Sequence, residues 1–355
     1  TVARLGGDEF TVILPALDDR ARADSIARDI LAAVSQAFQI GDETLYLTAS
    51  IGITMYPDEG GDVETLLKHA DQAMYAAKRN GRNCFHHFTS ALQLTAQSRQ
   101  AMIKDLRAAV DGNQFRVHFQ PIVDIATGRV RKAEALIRWH HPVRGMVSPL
   151  DFISVAEESG LIHPIGDWIF KQAAQWAKRW NDKYEHGFQV SVNVSPLQFQ
   201  ANAEHCQRWT EYLAETGVPA RSIVIEITEG LLLHADPAVT EKLMQLRDNG
   251  IEVAIDDFGT GYSSLAYLKK FNIDFLKIDQ SFVRNLATDA SDMALSEAII
   301  VMAHKLGLKV IAEGVETAEQ KQHLLAAGCD YVQGFLFSRP VPPEDFEQLV
   351  DRLNG

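Results

Sequence analysis

A regular alternation of strand-like and helix-like segments over residues 114–355 is the feature that most restricts the fold of this chain. Short apolar runs alternate with segments of helical periodicity, such as DWIFKQAAQWAKRW (167–180). Eight strands with intervening helices over about 240 residues predict an α/β fold, a (β/α)8 TIM-like barrel. Spacing alone leaves an open, doubly wound sheet as the alternative. The predicted strands are 115–123, 130–138, 188–194, 222–228, 251–256, 274–278, 308–313 and 330–333.

The N-terminal part predicts a smaller α/β unit with its own strands and helices. EFTVILP (9–15) and residues 44–56 are strand-like, while 18–38 and 62–79 have helical patterns. A helical connector follows, because the next segment contains neither Pro nor Gly and carries Met102, Leu106 and Val110 at helical spacing. The predicted domains are therefore 1–88, the connector 89–111, and 112–355.

Composition and termini restrict the class of protein. The net charge of −13 argues against DNA or RNA bound through a broad basic surface. Cys84, Cys206 and Cys329 lie far apart without metal-ligand spacing, as in a cytoplasmic protein. No apolar run is long enough to span a bilayer. The opening TVARLGGDEF lacks an initiating Met and is typical of a domain interior, so we expect a fragment of a longer protein, which upstream domains could attach to a membrane.

Polar side chains recur near the carboxyl ends of successive predicted strands. Catalytic groups of barrel enzymes lie at this rim, so these residues are expected to meet in one place. A single one of them is most simply a solvent-facing residue, but each lies within an apolar strand. Oxygen ligands from several strands are what a hard divalent cation requires. The residues are Glu134, Asn193, Glu226, Asp256, Asp257, Lys277, Asp279, Glu313 and Gln333.

The stretch EVAIDDFGTGYSSL (252–265) ends an apolar strand with two adjacent acids. Both carboxylates can stay ionised if cations lie beside them, and Asp256 is placed to bridge two ions. Two ions about 4 Å apart would activate a water and stabilise the leaving oxygen of a phosphodiester. Gly259 and Gly261 are either a simple tight turn or part of a mobile loop that completes the site.

Residues 100–353 contain seven short motifs: EALIRW (134–139), NVSP (193–196), EITE (226–229), DDFGTGYSSL (256–265), LKID (276–279), AEGVE (312–316) and QGFLFSRP (333–340). Through these motifs the chain resembles EAL-domain cyclic di-GMP phosphodiesterases. Upstream, ARLGGDEF (3–10) and ADQAMYAAKRNGRN (70–83) resemble the C-terminal part of a GGDEF diguanylate cyclase domain. The whole is similar to a GGDEF–EAL tandem with an N-terminally truncated GGDEF domain.

This resemblance implies hydrolysis of cyclic di-GMP to linear pGpG with two Mg²⁺ or Mn²⁺ ions. It implies that the first ion is held by Glu134, Asn193, Glu226 and Asp256, and the second by Asp256 and Asp257. The implied catalytic residues are Glu134, Lys277, Glu313 and Glu229. Lys277 would orient the attacking water, and Glu313 would complete the water and metal shell with Gln333. Glu229 would anchor the 256–265 loop. The implied substrate contacts are Gln120, Leu136, Arg138 and Gln333.

In the GGDEF half, the resemblance implies that Gly6 and Gly7 form a hairpin turn and that Asp8 and Glu9 are metal-side acids. Lys78 and Arg82 would meet phosphates, although, taken by themselves, these two residues are better explained as a solvated helix end. The family's upstream nucleotide contacts would precede Thr1, so we expect no working cyclase in this fragment. GTP binding in the full-length protein stays open.

Two other functions compete with hydrolysis. A receptor would bind cyclic di-GMP without turnover, and a bifunctional full-length protein would also condense GTP. The complete set of barrel motifs favours hydrolysis over the receptor, because non-catalytic relatives lack one of these residues. The resemblance also implies a homodimer formed near the metal loop.

Overall fold

The structure, a computed structural model, consists of two compact units, Thr1–Met102 and Ile103–Gly355. The boundary between them falls within one helix, Ser90–Asp111. The residues described below are 1–17, 19–184, 187–200, 204–233, 237–259, 268, 271 and 273–355.

The first unit contains three two-stranded sheets and two helices before Ser90–Asp111. β1 and β2 form an antiparallel hairpin, β3 and β4 a second one, and β5 pairs in parallel with β6. The predicted helices 18–38 and 62–79 correspond to the two helices observed. The elements are β1 Val2–Gly6, β2 Glu9–Val12, helix Arg20–Val34, β3 Phe38–Ile40, β4 Glu43–Leu45, β5 Ile51–Ile53, helix Val63–Arg79 and β6 Phe85–His87.

The second unit is a closed eight-stranded barrel, which confirms the predicted fold class. The hydrogen-bonded order runs β10-β11-β12-β13-β14-β15-β7-β8, and pairing of β8 with β10 closes it. This closure excludes the open sheet. β9 extends β8 as a hairpin outside the ring. The strands are β7 Phe115–Asp124, β8 Val130–His141, β9 Gly145–Val147, β10 Gln189–Asn193, β11 Ile223–Thr228, β12 Glu252–Phe258, β13 Phe275–Ile278, β14 Lys309–Ala312 and β15 Tyr331–Gln333.

β7 departs from the repeating strand–helix pattern because it runs antiparallel to both of its neighbours. Only five residues, 125–129, join β7 to β8, too few for a crossover helix. The Asp124 carboxylate accepts hydrogen bonds from the backbone N–H and the hydroxyl of Thr127, which stabilises this turn. The carboxyl end of β7 therefore lies at the opposite rim from those of the other seven strands.

Helices pack around the barrel and bury most of its large apolar core between themselves and the strands. Among the described residues, no helix is long and apolar enough to cross a membrane. The helices are Pro149–Glu158, Ile162–Lys183, Pro196–Gln200, Glu204–Thr216, Glu229–Leu233, Pro237–Asp248, Gln280–Arg284, Ala290–Lys305, Ala318–Ala326 and Pro343–Asn354, with a 3-10 turn at Ala220–Ser222.

A smaller apolar cluster fills the barrel interior and supports the polar rim above it. Its members are all buried, and each comes from a different strand: Ile122, Val224, Ala254, Phe275 and Ile311. Side chains two residues apart on a strand point to the same face. The pleat therefore places Glu226, Asp256, Lys277 and Glu313 on the inward face, one step closer to the carboxyl rim.

Candidate active site

Lys277 lies at the centre of the candidate site and is fully buried. Its Nζ is 2.6 Å from Glu313 Oε1, 2.8 Å from Glu226 Oε2 and 3.2 Å from Asp256 Oδ1. Glu134 Oε2 is farther away, at 3.9 Å. Carboxylates from β8, β11 and β12, together with Glu313 directly after β14, thus surround one ammonium group, so acidic groups outnumber the single cation.

Amide side chains donate hydrogen bonds to both carboxylate oxygens of Glu134. Asn193 Nδ2 donates to Glu134 Oε1 at 2.6 Å, and Gln333 Nε2 donates to Glu134 Oε2 at 2.5 Å. Gln333 Nε2 also donates to Gln120 Oε1 at 3.0 Å, and Gln120 Nε2 donates to the Ser338 carbonyl oxygen at 3.1 Å. The structure therefore brings Gln120, Glu134, Asn193 and Gln333 into one hydrogen-bonded network.

A β-bulge lets two consecutive acids reach the same site. In a regular strand, Asp256 and Asp257 would point to opposite faces. The register between β12 and β13 shifts between Ile255 and Phe258, and Asp257 has φ +54°, in the left-handed region. Such a bulge redirects side chains. As a result, one carboxylate oxygen each from Asp256, Asp257 and Glu313 lies within 4.8 Å of the others.

The excess of acids shifts the titration of the site. Burial, reinforced by neighbouring carboxylates, raises the pKa of Glu313 to about 8 although Lys277 opposes the shift. Partial burial and the charges of Asp256 and Asp279 raise the pKa of Asp257. Burial alone would lower the pKa of Lys277, but the surrounding carboxylates outweigh it and raise that pKa well above its usual value. The positively charged groups of the protein therefore neutralise the charge of these carboxylates only in part.

The donor set fits divalent cations with a preference for oxygen. The Oε1 atoms of Glu226 and Gln333 are buried and have no hydrogen-bond partner among the described residues. A buried oxygen without a donor is costly unless another ligand satisfies it. Carboxylate and amide oxygens are ligands that Mg²⁺ and Mn²⁺ prefer. Cations bound in this acid-rich centre would supply the missing partners of these two oxygens.

Glu229 directly follows β11 and contacts the start of the glycine loop. Its Oε2 accepts the backbone N–H of Gly259 at 3.1 Å. The side chain is buried at the first residue of helix Glu229–Leu233. Residues 260–265 of the predicted loop, including Gly261, lie outside the described residues.

Leu136 and Arg138 follow Glu134 on the same face of β8, towards the open mouth of the barrel. Both are half-buried. Burial lowers the pKa of the Arg138 guanidinium, although Glu134 opposes that shift. Arg138 Nη1 donates to the Ile137 carbonyl oxygen at 2.8 Å, which leaves other guanidinium N–H groups available for a ligand.

The predicted residues of the GGDEF half do not form a comparable cluster in the part of the chain described. Gly6 pairs with Glu9, so Gly7 (φ +53°) and Asp8 are the central residues of the hairpin turn. Both glycines belong to this hairpin, since Gly6 ends β1 as the first residue of the turn and Gly7 follows it. Asp8 and Glu9 are exposed on this hairpin, while Lys78 and Arg82 are exposed at the end of helix Val63–Arg79.

Asp279 is a neighbour of the site that the sequence prediction left without a role. Its Oδ1 accepts the backbone N–H of Ser281 at 2.9 Å and caps helix Gln280–Arg284. Its carboxyl group also contributes to raising the pKa of Asp257. Its position directly after β13, two residues beyond Lys277, was a usable signal, because polar residues at the carboxyl ends of barrel strands lie at the catalytic rim.

Comparisons with known proteins place these features in a family context. The sequence model of the EAL domain family matches residues 103–340. The sequence model of the diguanylate cyclase GGDEF domain family matches residues 1–84. The signaling protein YkoW of Bacillus subtilis is 42% identical over 98% of this chain and 44% of its own length. The bifunctional diguanylate cyclase/cyclic di-GMP phosphodiesterase MucR of Pseudomonas aeruginosa is 39% identical over 97% of this chain and 50% of its own length.

A solved structure of the PaMucR phosphodiesterase in complex with c-di-GMP is also similar. It is 39% identical, with a TM-score of 0.66, and the match covers 69% of this chain and 99% of that chain. The chain spans about half the length of the curated relatives named above.

Proposed function

This chain belongs to the EAL domain family, and from that premise we propose that it hydrolyses one phosphodiester bond of cyclic di-GMP to give linear pGpG. The observation that carries the proposal is the ring of carboxylates around Lys277, with the donor-free Oε1 atoms of Glu226 and Gln333 beside it. Relatives named as cyclic di-GMP phosphodiesterases support the choice of substrate.

The proposed cofactor is a pair of Mg²⁺ or Mn²⁺ ions. Glu134, Asn193, Glu226 and Asp256 would hold the first ion, and Asp256 with Asp257 the second. When bound, such ions polarise a phosphoryl oxygen and lower the pKa of a water molecule. Glu313 and Gln333 would complete the surrounding shell.

Lys277 is proposed to orient the attacking water. Its ammonium group has three N–H donors, and three carboxylates lie within 3.2 Å of Nζ. In this arrangement the side chain balances charge. Orienting a water requires that one of these carboxylates turn to a cation and release a donor.

Arg138 and Leu136 are proposed to contact the substrate. A phosphodiester approaching a cluster of carboxylates is repelled unless cations lie between them. A guanidinium at the mouth supplies one fixed positive charge and can bind phosphate oxygens in bidentate fashion. Leu136 offers an apolar contact between Glu134 and Arg138 on the same strand face.

The test compares hydrolysis with binding. Purified protein is incubated with cyclic di-GMP and Mg²⁺, and release of pGpG is followed by chromatography. Asp256→Asn serves as the control that retains side-chain volume but removes a charge. Turnover by the wild type and its loss in the control support hydrolysis, whereas tight binding without pGpG would identify a receptor.

A homodimer is proposed as the working form. Helix Ala290–Lys305 exposes two large apolar side chains, with Leu295 48% and Val301 56% exposed. Apolar side chains on the surface of a helix are available for burial against a second copy. Sedimentation velocity of the double variant Leu295→Glu/Val301→Glu should show a shift towards monomer, and a monomeric wild type would refute this proposal.

The GGDEF segment is proposed to regulate the barrel in the full-length protein through GTP. The helix Ser90–Asp111 supports this idea, because Asp105 Oδ2 is 3.0 Å from Arg144 Nη2 and 3.3 Å from His141 Nε2. His141 ends β8, the strand that carries Glu134. Inserting a Gly/Ser stretch near Ala96 in the full-length protein should remove any effect of GTP on hydrolysis, and an equal effect in both versions would contradict a helical route.

A further inference from the structure

A chain of side-chain amides connects a backbone carbonyl at the rim to the carboxylate of Glu134. The Ser338 carbonyl oxygen can only accept a hydrogen bond, so Gln120 must present Nε2 to it. Oε1 of Gln120 then faces its other neighbour, Gln333, which must donate a hydrogen bond to it from Nε2. The direction of every amide is therefore set from the backbone.

The other end of the chain requires the same direction. Gln333 Nε2 also donates to Glu134 Oε2, and an ionised carboxylate can only accept. Orientation of an amide is inferred from its hydrogen-bond partners, and here partners at both ends agree. Consequently Gln333 Oε1 is the atom left over, and it is buried without a partner among the described residues.

Both ends of Gln120 are held firmly. Phe119, the preceding residue, exchanges two backbone hydrogen bonds with Val341, at 2.8 and 3.0 Å, so the rim segment carrying Ser338 is fixed to β7. Gln120 lies directly across from Glu134 in the β7–β8 pairing. Its side chain is only 8% exposed, and both polar atoms are engaged inside the protein.

We infer that Gln120 is a positioning residue that fixes the amide of Gln333 so that its Oε1 faces the cation site as a hydrogen-bond acceptor or ligand. This inference rests on the proposed function, and it replaces the expectation that Gln120 contacts the substrate. When a cation occupies the oxygens of Glu134, Gln120 is the group that still dictates the direction of the Gln333 amide. Groups that orient metal-site residues in this way affect metal affinity and activity by about 10- to 100-fold.

The experiment uses Gln120→Met, which retains length but cannot hydrogen-bond, together with Gln333→Met and the double variant. Mn²⁺ affinity is measured by calorimetry, and kcat and KM for cyclic di-GMP are measured separately. Gln120→Met should weaken Mn²⁺ binding and lower kcat by about 10-fold or more, with KM nearly unchanged. The double variant should be little worse than Gln333→Met, because both changes act through one oxygen.

Gln189→Met is the matched control at the other end of the barrel. Gln189 also joins two groups through its amide, since Nε2 donates to the Arg221 carbonyl oxygen and to Glu252 Oε2. Its loss should leave Mn²⁺ affinity unchanged. A raised KM in Gln120→Met with unchanged kcat and Mn²⁺ affinity would identify a substrate contact instead and overturn the inference, as would additive losses in the double variant.

A further measurement separates this inference from the proposed function. In metal-free protein, Gln120→Met and Gln333→Met remove the two partners of one hydrogen bond, so their Tm shifts should be less than additive. Absence of Mn²⁺ binding by the wild type would refute the proposed function. Additive Tm shifts would refute the amide chain, whatever the activity.

Discussion

Asp257 donates its backbone N–H to Asp256 Oδ1 at 3.0 Å while its own φ of +54° lies in the left-handed region. The backbone thus turns back on the preceding carboxylate at the point where β12 bulges. This conformation is uncommon for a residue with a side chain, although Asp and Asn adopt it more readily than others. The pair of acids is brought to one site at the expense of backbone strain.

Two substitutions of Asp257 should separate the effect of backbone strain on stability from the effect of the carboxylate charge on activity. Asp257→Asn tolerates the left-handed conformation, so Tm should hardly change, while activity should fall by at least about tenfold through loss of a carboxylate ligand. Asp257→Ala should lose the same activity and be less stable than Asp257→Asn by about 1 kcal/mol. Thermal unfolding and pGpG release measure the two effects, and equal stability of both variants would show that the bulge is unstrained.

Activity should depend on added Mg²⁺ or Mn²⁺ and be abolished by a chelator. The donor set is oxygen-rich, and two buried oxygens have no donor among the described residues. Cation binding should also raise Tm, since a ligand at 100 times its Kd stabilises by about 2.7 kcal/mol. Asp256→Asn should show a smaller Tm rise. Full turnover after dialysis into excess chelator would contradict the metal requirement.

Lys277→Ala should lower kcat by a large factor while affinity for cyclic di-GMP survives. The ammonium is buried among carboxylates, and removal of one partner from such a cluster costs about 3–5 kcal/mol in metal-free protein. Lys277→Met, which fills the space without charge, separates packing from charge. Affinity lost in parallel with turnover would assign Lys277 to substrate binding instead.

Glu229→Ala should reduce turnover although Glu229 is not a proposed metal ligand. The hydrogen bond from Gly259 to Glu229 holds the chain directly after Asp256 and Asp257. Displacement of a reacting group by about 1 Å can cost roughly a hundredfold in rate. Glu229→Gln retains a carbonyl acceptor for Gly259 and should keep more activity than Glu229→Ala. Wild-type kinetics in both variants would show that the loop needs no such anchor.

Lys132 should make stability depend on pH above neutrality. Burial lowers its pKa to about 8, despite the opposing charges of Glu252 and Asp274. In the unfolded chain a Lys titrates near 10.4, so between about pH 8 and pH 10.4 the unfolded state binds more protons than the folded state. The contribution of Lys132 to stability therefore rises with pH through this window.

The measurement compares Tm of the wild type and Lys132→Met from pH 7 to pH 10. The difference isolates Lys132 from other groups that bind protons differently in the two states, such as Cys206, whose thiol titrates at about 8.5 in the unfolded chain, whereas burial raises its pKa to about 11 in the folded protein. The wild type should gain stability relative to Lys132→Met as pH rises. A difference that does not change with pH would show that Lys132 titrates normally.

Much of the barrel follows from local sequence. The predicted strand 115–123 is observed as β7 Phe115–Asp124, and the predicted strand 274–278 as β13 Phe275–Ile278. Such strands can be predicted because a short apolar run between turn residues forms a strand that buries its own side chains. The polar residues of the rim were also recognisable, since period-two spacing relates Lys277 to Phe275 on the same inward face.

Other features depend on contacts between residues far apart in sequence. Gln120 and Ser338, 218 residues apart, meet only after the barrel closes, so the direction of the Gln333 amide has no local signal. The bulge at Asp257 arises from its register with β13, and the pairing of β7 with β15 joins residues such as Asp124 and Tyr331 that are distant in sequence. Sequence determined which residues lie on strands and which faces they occupy, because pleat and burial are local. Tertiary structure decided how those faces pair, because hydrogen-bond direction and register are properties of two segments at once.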